Sequence, residues 1–139
     1  MSNEEKNAWI YAAIAVVFPV IYFGNILGQL QDTPVSSIAY QQLLLLAIGA
    51  AIVSSIVLSI LLGIFSPKDA GKKDQRDRDI NRLGEYVGGI VLAVAVIIPF
   101  ALALIEAHQF WIGNAIYLAF VLSAITGTTV KLVAYRRGF

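Results

Sequence analysis

The chain has 139 residues, of which 58% are hydrophobic and only 14% are charged, and its mean hydropathy is +0.76. Soluble domains average roughly 45–50% apolar and about 25% charged residues, so this composition excludes a soluble globular domain as well as a disordered chain. The absence of cysteine excludes disulfides, thiolate catalysis and thiolate metal sites. A net charge of +1 gives no electrostatic reason to expect direct binding of nucleic acid.

Four apolar stretches predict four membrane-spanning helices, since a span needs roughly 20 apolar residues to cross about 30 Å of hydrocarbon. The stretches cover about 8–27, 40–65, 86–105 and 110–130, with a charged loop over 66–85, and none contains a charged residue. Glu4 and Glu5 precede the first stretch where a cleaved signal peptide would carry basic residues, so we expect a retained helix. We therefore predict an all-α integral membrane protein, a four-helix bundle formed by one domain.

The positions of lysine and arginine predict the orientation. All 10 lie near the N-terminus, in the loop over 66–85 or near the C-terminus, and four spans place these segments on one side. The other side carries only Asp32, Glu106 and His108 as acidic or histidine side chains. By the positive-inside rule we expect both termini and the loop to be cytoplasmic, in a plasma membrane.

Aromatic residues flank the predicted spans, as in the belts that anchor membrane proteins at both interfaces. Those expected at the inner interface are Trp9, Tyr11, Tyr86 and Tyr135, and those expected near the outer interface are Tyr22, Phe23, Tyr40, Phe110 and Trp111. Inside the first and third spans, Pro19 and Pro99 are each expected to kink a helix.

Small residues recur at every fourth position in two spans, which places them on one face of each helix. In membranes such stripes let helix backbones approach closely. We expect the second and fourth spans to meet through them within one bundle, and a homodimer seam is the alternative. The stripes are Ala47, Ala51, Ser55, Ser59 and Gly63, then Ala115, Ala119, Ser123 and Gly127; shorter pairs are Gly24 with Gly28 and Gly84 with Gly88.

The loop over 66–85 holds eleven of the nineteen charged residues. Pro67 and Gly71 predict a turn in its first part, and its second part predicts a helix that continues into the third span. Charges three or four positions apart, such as Asp74 with Arg78 or Arg82 with Glu85, are expected to pair along that helix. The loop is then either a solvated, self-paired stalk or a docking surface for a cytoplasmic protein. The candidate docking residues are Asp74, Arg76, Asp77, Arg78, Arg82, Glu85, Arg136 and Arg137.

Two segments carry a resemblance: KKDQRDRDINRLGEYVGG, beginning at residue 72, and EAHQFWIGNAIYLAFVLSAITGTTVKLVAYRRGF, beginning at residue 106. They resemble an uncharacterised family of small, mainly actinobacterial four-span membrane proteins with a DxRDRxI, GEYVGG, FWI-N and VK-VAYRRG pattern. The family form has a second acid before the histidine, where this chain has Ala107. The matching residues are Asp74, Arg76, Asp77, Arg78, Ile80, Gly84, Glu85, Tyr86, Gly88, Gly89, Glu106, Phe110, Trp111, Asn114, Lys131, Arg136 and Arg137.

The resemblance implies no settled activity. Members of this family tend to be encoded beside small helix-turn-helix regulators, so the resemblance implies a membrane partner of a transcription factor.

Polar side chains collect near the predicted outer ends of the helices. They would line a ligand pocket, or Glu106 and His108 would share a cation or proton. Two such residues are fewer than the three or four ligands of a metal site, and polarity is also expected wherever helices meet water. We therefore predict no metal and no cofactor. This outer polar cluster consists of Asn25, Gln29, Gln41, Gln42, Glu106, His108 and Asn114.

The sequence argues against an ion-coupled transporter. Such proteins keep titratable residues at mid-membrane depth, where this chain has no Asp, Glu, Lys, Arg or His. No catalytic or phosphate-binding motif is present, which predicts a protein that is not an enzyme. We expect a regulatory or signalling protein that docks a cytoplasmic partner through the charged loop. The alternatives are a small permease or channel acting as an oligomer, and an accessory subunit of a larger membrane complex. Expected partners are membrane lipid, a cytoplasmic regulator and a second copy of the chain.

Overall fold

The computed structural model describes residues 1–68 and 74–138, and this part of the chain is helical without any strand. A short 3-10 helix, Val35–Ser37, connects the first two helices. Four segments are long and apolar enough to cross a membrane, and the third of them consists of two helices. The prediction of four such segments in an all-α chain is confirmed. The helices are α1 (Asn3–Leu30), α2 (Tyr40–Phe65), α3 (Gln75–Ala95), α4 (Ile97–Leu104) and α5 (Gln109–Arg137).

Three of the helices extend beyond the predicted apolar stretches because polar residues stabilise their ends. The Ser2 hydroxyl accepts a hydrogen bond from the Glu5 amide at 3.1 Å, so α1 begins at Asn3. Asp74 caps the start of α3, which confirms that the charged stretch continues into the third span as a helix. Two arginines in the last turn of α5 favour its extension to Arg137. The predicted turn residue Gly71 lies outside the described residues.

The two prolines have different effects. Pro99 has no N–H to donate to the carbonyl four residues earlier, and the helix breaks there, between Ala95 and Ile97. Pro19 lies inside α1, which continues through it without a break. Of the two expected kinks, the one near Pro99 is an interruption that separates α3 from α4.

The long helices are compatible with a helical bundle, and they pack side by side in one order. α1 packs against α2 on one side and against α5 on the other, and α5 packs in turn against α3 and α4. The order in the row is therefore α2, α1, α5, and then α3 with α4. α2 reaches α5 at its first residue, where the Tyr40 ring lies against Phe110 and Gly113, and α1 lies between the two helices further along. The predicted packing of the second span on the fourth through their small-residue stripes is therefore wrong. Most large apolar side chains of α2 are exposed, as expected for a helix at the edge of the row.

The two ends of the row differ in chemistry. At the charged end lie the start of α1, the end of α2, the start of α3 and the end of α5, joined by polar contacts. At the aromatic end, Tyr22, Tyr40 and Phe110 form a buried cluster with Ile26 and Ile38. Candidate functional groups occur at both ends.

Candidate functional site

Glycines bring α3 and α5 into close contact. A Cβ atom added to Gly127 would lie 3.0 Å from the Gly84 carbonyl oxygen, and one added to Gly88 would lie 3.1 Å from the Ser123 carbonyl oxygen. The Ser123 hydroxyl also donates a hydrogen bond to the Gly88 carbonyl oxygen at 2.7 Å. The small-residue stripe of the fourth span therefore packs on the glycine pair of the third span.

The other predicted packing residues have different neighbours. In α2, the Ser59 hydroxyl donates to the Asn7 side-chain oxygen of α1 at 3.2 Å, so the stripe of this helix lies on its α1 side. Gly24 and Gly28 have open space where a Cβ would be, and neither approaches another helix closely among the residues that the structure describes. Ala119 is buried; the half-buried members of the two stripes are Ala47, Ala51, Ser55, Ser59, Gly63, Ala115 and Ser123.

A buried carboxylate fastens α3 to α5 at the charged end. Asp77 is only 7% exposed, and its Oδ1 accepts a hydrogen bond from the Tyr135 hydroxyl at 2.8 Å. The same side chain forms a capping box with Asp74, which accepts from the Asp77 amide at 2.7 Å. Arg76 donates to the Tyr135 carbonyl oxygen at 3.3 Å, with its guanidinium 5.9 Å from the ring centroid. Arg76 and Asp77, both predicted as docking residues, are therefore engaged in contacts with α5.

The first turns of α1 complete the charged end. Glu5 pairs with Arg136 of α5 at 3.5 Å, and the Arg136 guanidinium lies 5.9 Å from the centroid of the Trp9 ring. Asn3 donates through Nδ2 to the Ser66 carbonyl oxygen, just after α2, at 3.3 Å. Of the predicted docking residues, Arg136 is therefore also engaged within the chain.

The remaining charges of α3 lie on a different face. Arg78, Arg82 and Glu85 are exposed and recur at spacings of four and three, so they form one line along the helix, here called the α3 stripe. Ile80 has no exposed surface and lies with Asp77 on the face that packs against α5. The fold thus holds one face of this charged helix and leaves the α3 stripe accessible.

The ion pairs predicted along α3 are not formed in the described part of the chain. Arg76 reaches α5, and Asp79 accepts a hydrogen bond from the Gln75 side chain at 2.9 Å. The arginines of the α3 stripe therefore have no carboxylate partner on their own helix. Of the other predicted docking residues, Asp74 and Arg137 are also exposed.

The predicted outer polar cluster does not converge on one site. Asn114 is buried, accepts from the Tyr22 hydroxyl at 2.6 Å and donates to the Phe110 carbonyl oxygen at 2.7 Å, so it joins α5 to α1. His108 Nδ1 accepts from the Phe110 amide at 3.1 Å and caps the start of α5. Among the described residues no group of three His, Cys, Asp or Glu is arranged to hold a metal ion. Of the remaining members, Gln29 is half-buried, and the exposed ones are Asn25, Gln41, Gln42 and Glu106.

Three aromatic residues predicted for the outer belt belong to the core. Tyr22, Tyr40 and Phe110 are each 8% exposed or less, and the rings of Tyr40 and Phe110 meet edge to face with centroids 5.4 Å apart. Tyr22 makes a similar contact with Tyr117 at 5.2 Å. The belt prediction is wrong for these residues because ring packing and a buried hydrogen bond remove them from the surface. Trp9, Tyr11, Tyr86 and Trp111 are exposed, as a belt requires.

Glu106 follows α4 in a left-handed conformation, with φ of 56°. Its amide bonds to the Ala103 carbonyl at 3.1 Å, and the Ala107 amide bonds to the Leu102 carbonyl at 3.0 Å. This pattern is a Schellman motif, whose left-handed position favours glycine. The backbone strain at Glu106 is therefore explained by the way α4 ends and does not indicate a ligand site.

We expect Glu106→Gly to stabilise the protein by about 1 kcal/mol, because glycine adopts positive φ without the steric cost of a Cβ. The measurement is the thermal unfolding midpoint in detergent, with Glu106→Ala as the control that removes the carboxylate but keeps the strain. A lower midpoint for Glu106→Gly alone would contradict the strain argument.

These features define a helical protein with four segments long and apolar enough to cross a membrane, which suggests the multi-pass membrane class. None of the family models, curated proteins and solved structures compared with the chain matches it. The resemblance to the four-span family therefore stays a prediction.

Proposed function

We propose that this chain is a non-enzymatic regulatory membrane protein that holds a cytoplasmic partner, such as a helix-turn-helix regulator, on the α3 stripe. The observation that carries the proposal is that one face of α3 packs against α5 while another face carries exposed charges. One face is fastened to α5 through Asp77 and Ile80, while Arg78 and Arg82 remain exposed and unpaired along the helix. A stalk that only needed solubility would be expected to pair its charges along its own length.

The proposal places the charged end in the cytoplasm and the spans in the inner membrane of a bacterium. The contact of Asn3 with Ser66 and that of Asp77 with Tyr135 bring the basic segments of the chain to one end of the row. The positive-inside rule favours the cytoplasm for such an end.

The chemistry of the α3 stripe indicates what kind of surface it would bind. Two arginines one helical turn apart favour a partner that presents carboxylates, which arginine binds through two parallel hydrogen bonds. Glu85, one turn further along, favours a basic group at the corresponding position of the partner. Because α3 is already ordered by its contacts with α5, little ordering entropy would oppose binding.

We expect the double variant Arg78→Glu, Arg82→Glu to lower recovery of a soluble partner about tenfold or more, since disrupting interface charge pairs costs roughly 2 kcal/mol or more. The measurement is affinity purification from native membranes after mild crosslinking, with mass spectrometry of the recovered proteins. Arg76 is excluded from the variant because it bonds to the Tyr135 carbonyl.

The matched control is Lys68→Glu, a charge reversal at an exposed residue after α2 that is not on the α3 stripe. We expect it to leave partner recovery unchanged. Full recovery of the partner with the double variant would refute the docking role. Recovery of only this chain, as a defined oligomer, would favour a permease or channel, and comigration with other integral proteins would favour an accessory subunit.

A further inference from the structure

The connection between α4 and α5 ends in a hydrogen bond whose acceptor is a histidine. The Phe110 amide donates to His108 Nδ1 at 3.1 Å. The first N–H groups of a helix have no carbonyl partner within that helix, so this bond satisfies a donor that would otherwise be left open. An imidazole nitrogen accepts a hydrogen bond only through a lone pair, and therefore Nδ1 is unprotonated in this structure.

The start of α5 is also where three helices meet. The Phe110 ring is 1% exposed, and it meets the Tyr40 ring of α2 edge to face with centroids 5.4 Å apart. One turn further along α5, Asn114 accepts a hydrogen bond from the Tyr22 hydroxyl of α1 at 2.6 Å. The first turns of α5 thus hold α1 and α2 together at the aromatic end, and His108 caps them.

Protonation of His108 removes this cap for two reasons. The imidazolium carries a hydrogen on both ring nitrogens, so Nδ1 loses the lone pair that accepts from the Phe110 amide. Its positive charge also lies at a helix N-terminus, where the aligned peptide dipoles favour negative charge. Because His108 is exposed, protons from the solvent reach the ring without a rearrangement of the chain.

Few other charges lie near this imidazole. The titratable residues of the connections at the aromatic end are Glu106, two positions before His108, and Asp32, between α1 and α2. Neither carboxylate forms an ion pair with His108 in the described part of the chain. Neither α4 nor the first turn of α5 has a charged side chain. The other members of the adjoining core carry no charge near neutral pH; they are Tyr22, Ile26, Ile38 and Tyr40.

We propose that His108 is a pH-sensitive cap, whose protonation releases the first turn of α5 and loosens its junction with α1 and α2. The capped turn requires the neutral imidazole, so acid weakens the junction and base does not. Histidine is the side chain that ordinarily titrates closest to neutral pH, at about 6.5. In the orientation proposed above, the cap would respond to the external medium. This inference does not depend on the partner-docking function.

The test is NMR spectroscopy of the full chain in nanodiscs at about pH 8 and about pH 5, on either side of the ordinary titration range of histidine. His108 is the only histidine in the sequence, so its ring signals are unambiguous. At the higher pH we expect the ring proton on Nε2. At the lower pH we expect the protection of the Phe110 amide, corrected for the intrinsic exchange rate, to fall about fivefold, which corresponds to ~1 kcal/mol for a cap. A proton on Nδ1 at the higher pH, or unchanged protection at the lower pH, would overturn the proposal.

Two variants of His108 separate the cap from the imidazole. His108→Asn supplies a side-chain oxygen that caps well and does not titrate, so the protection of the Phe110 amide is expected to be equal at both pH values. His108→Ala has no acceptor, and this amide is expected to exchange about fivefold faster than in the unmodified protein already at the higher pH. A pH response that persists in His108→Asn would assign it to another group and overturn the proposal.

The matched controls are Glu106→Gln and Asp32→Asn, which remove the two carboxylates of the connections at this end. Both variants keep His108, and each is expected to show the full pH response of the unmodified protein. Loss of the response in either variant would mean that a carboxylate, and not the imidazole, controls the first turn of α5.

Discussion

Leucine in place of Gly88 is expected to destabilise the protein by about 3 kcal/mol, the upper part of the range for overpacked interiors. The Cβ atom alone would lie 3.1 Å from the Ser123 carbonyl oxygen, which belongs to a helix backbone and cannot rotate away. Separation of α3 from α5 would also break the 2.7 Å hydrogen bond from Ser123 to the Gly88 carbonyl. The measurement is the free energy of unfolding in mixed micelles, from a titration with denaturing detergent.

The matched control is Gly89→Leu, one residue further along the same helix, where nothing lies within 4 Å of an added Cβ. There we expect no loss of stability and a gain of up to about 1 kcal/mol, because leucine has the higher helix propensity. Equal losses of unfolding free energy for Gly88→Leu and Gly89→Leu would show that the cost comes from replacing glycine within α3 and not from the contact with α5.

Asp77→Ala is expected to cost about 2 to 3 kcal/mol, because it removes half of a capping box and a hydrogen bond from Tyr135 to a buried carboxylate. The first turns of α3 should then fray, and the α3 stripe should lose its fixed position. Hydrogen exchange of the backbone amides over 75–82 measures this effect directly.

Asp79→Ala is the control for this variant, because Asp79 lies two residues away on α3 and accepts only from the exposed Gln75 side chain. For Asp79→Ala we expect little change in the free energy of unfolding. Its backbone amides over 75–82 should exchange as slowly as those of the unmodified protein. Slow exchange in Asp77→Ala would show that the burial of Ile80 is sufficient to order this segment.

Much of the fold follows from simple features of the sequence. The length of each apolar stretch predicts a membrane-spanning helix, and Asp74 with Asp77 three residues later is a capping pattern that predicts where α3 begins. Pro99 predicts the interruption between α3 and α4. These features act locally, within one helix, and so they can be read from a few neighbouring residues.

The neighbours of each helix could not be predicted in the same way. Both α2 and α5 carry small residues at every fourth position, and spacing alone does not state which helix lies opposite. The decisive signal was present in α3, where Asp77, Ile80, Gly84 and Gly88 recur at spacings of three and four and form the buried face. That pattern separates the structural Asp77 from the exposed Arg78 beside it.

The roles of the polar and aromatic residues at the aromatic end depend on partners far apart in sequence. Tyr22 and Asn114 are separated by 92 positions, and their 2.6 Å hydrogen bond has no local signature. An aromatic residue near the end of a span is equally compatible with an interface and with a core. Only the packing of Tyr40 on Phe110 decides between the two environments.

The break before Pro99 has a mechanical consequence. α3 is an uninterrupted helix from Gln75 to Ala95, so it behaves as a rod of about 31 Å with the α3 stripe near one end. A displacement of that end moves the whole helix about its close contact with α5 at Gly84 and Gly88. The helix is expected to bend most easily at Val96, where α3 ends and α4 follows. α3 is thus expected to move as one unit about its glycine contact with α5, and α4 to change its angle to α3 at Val96.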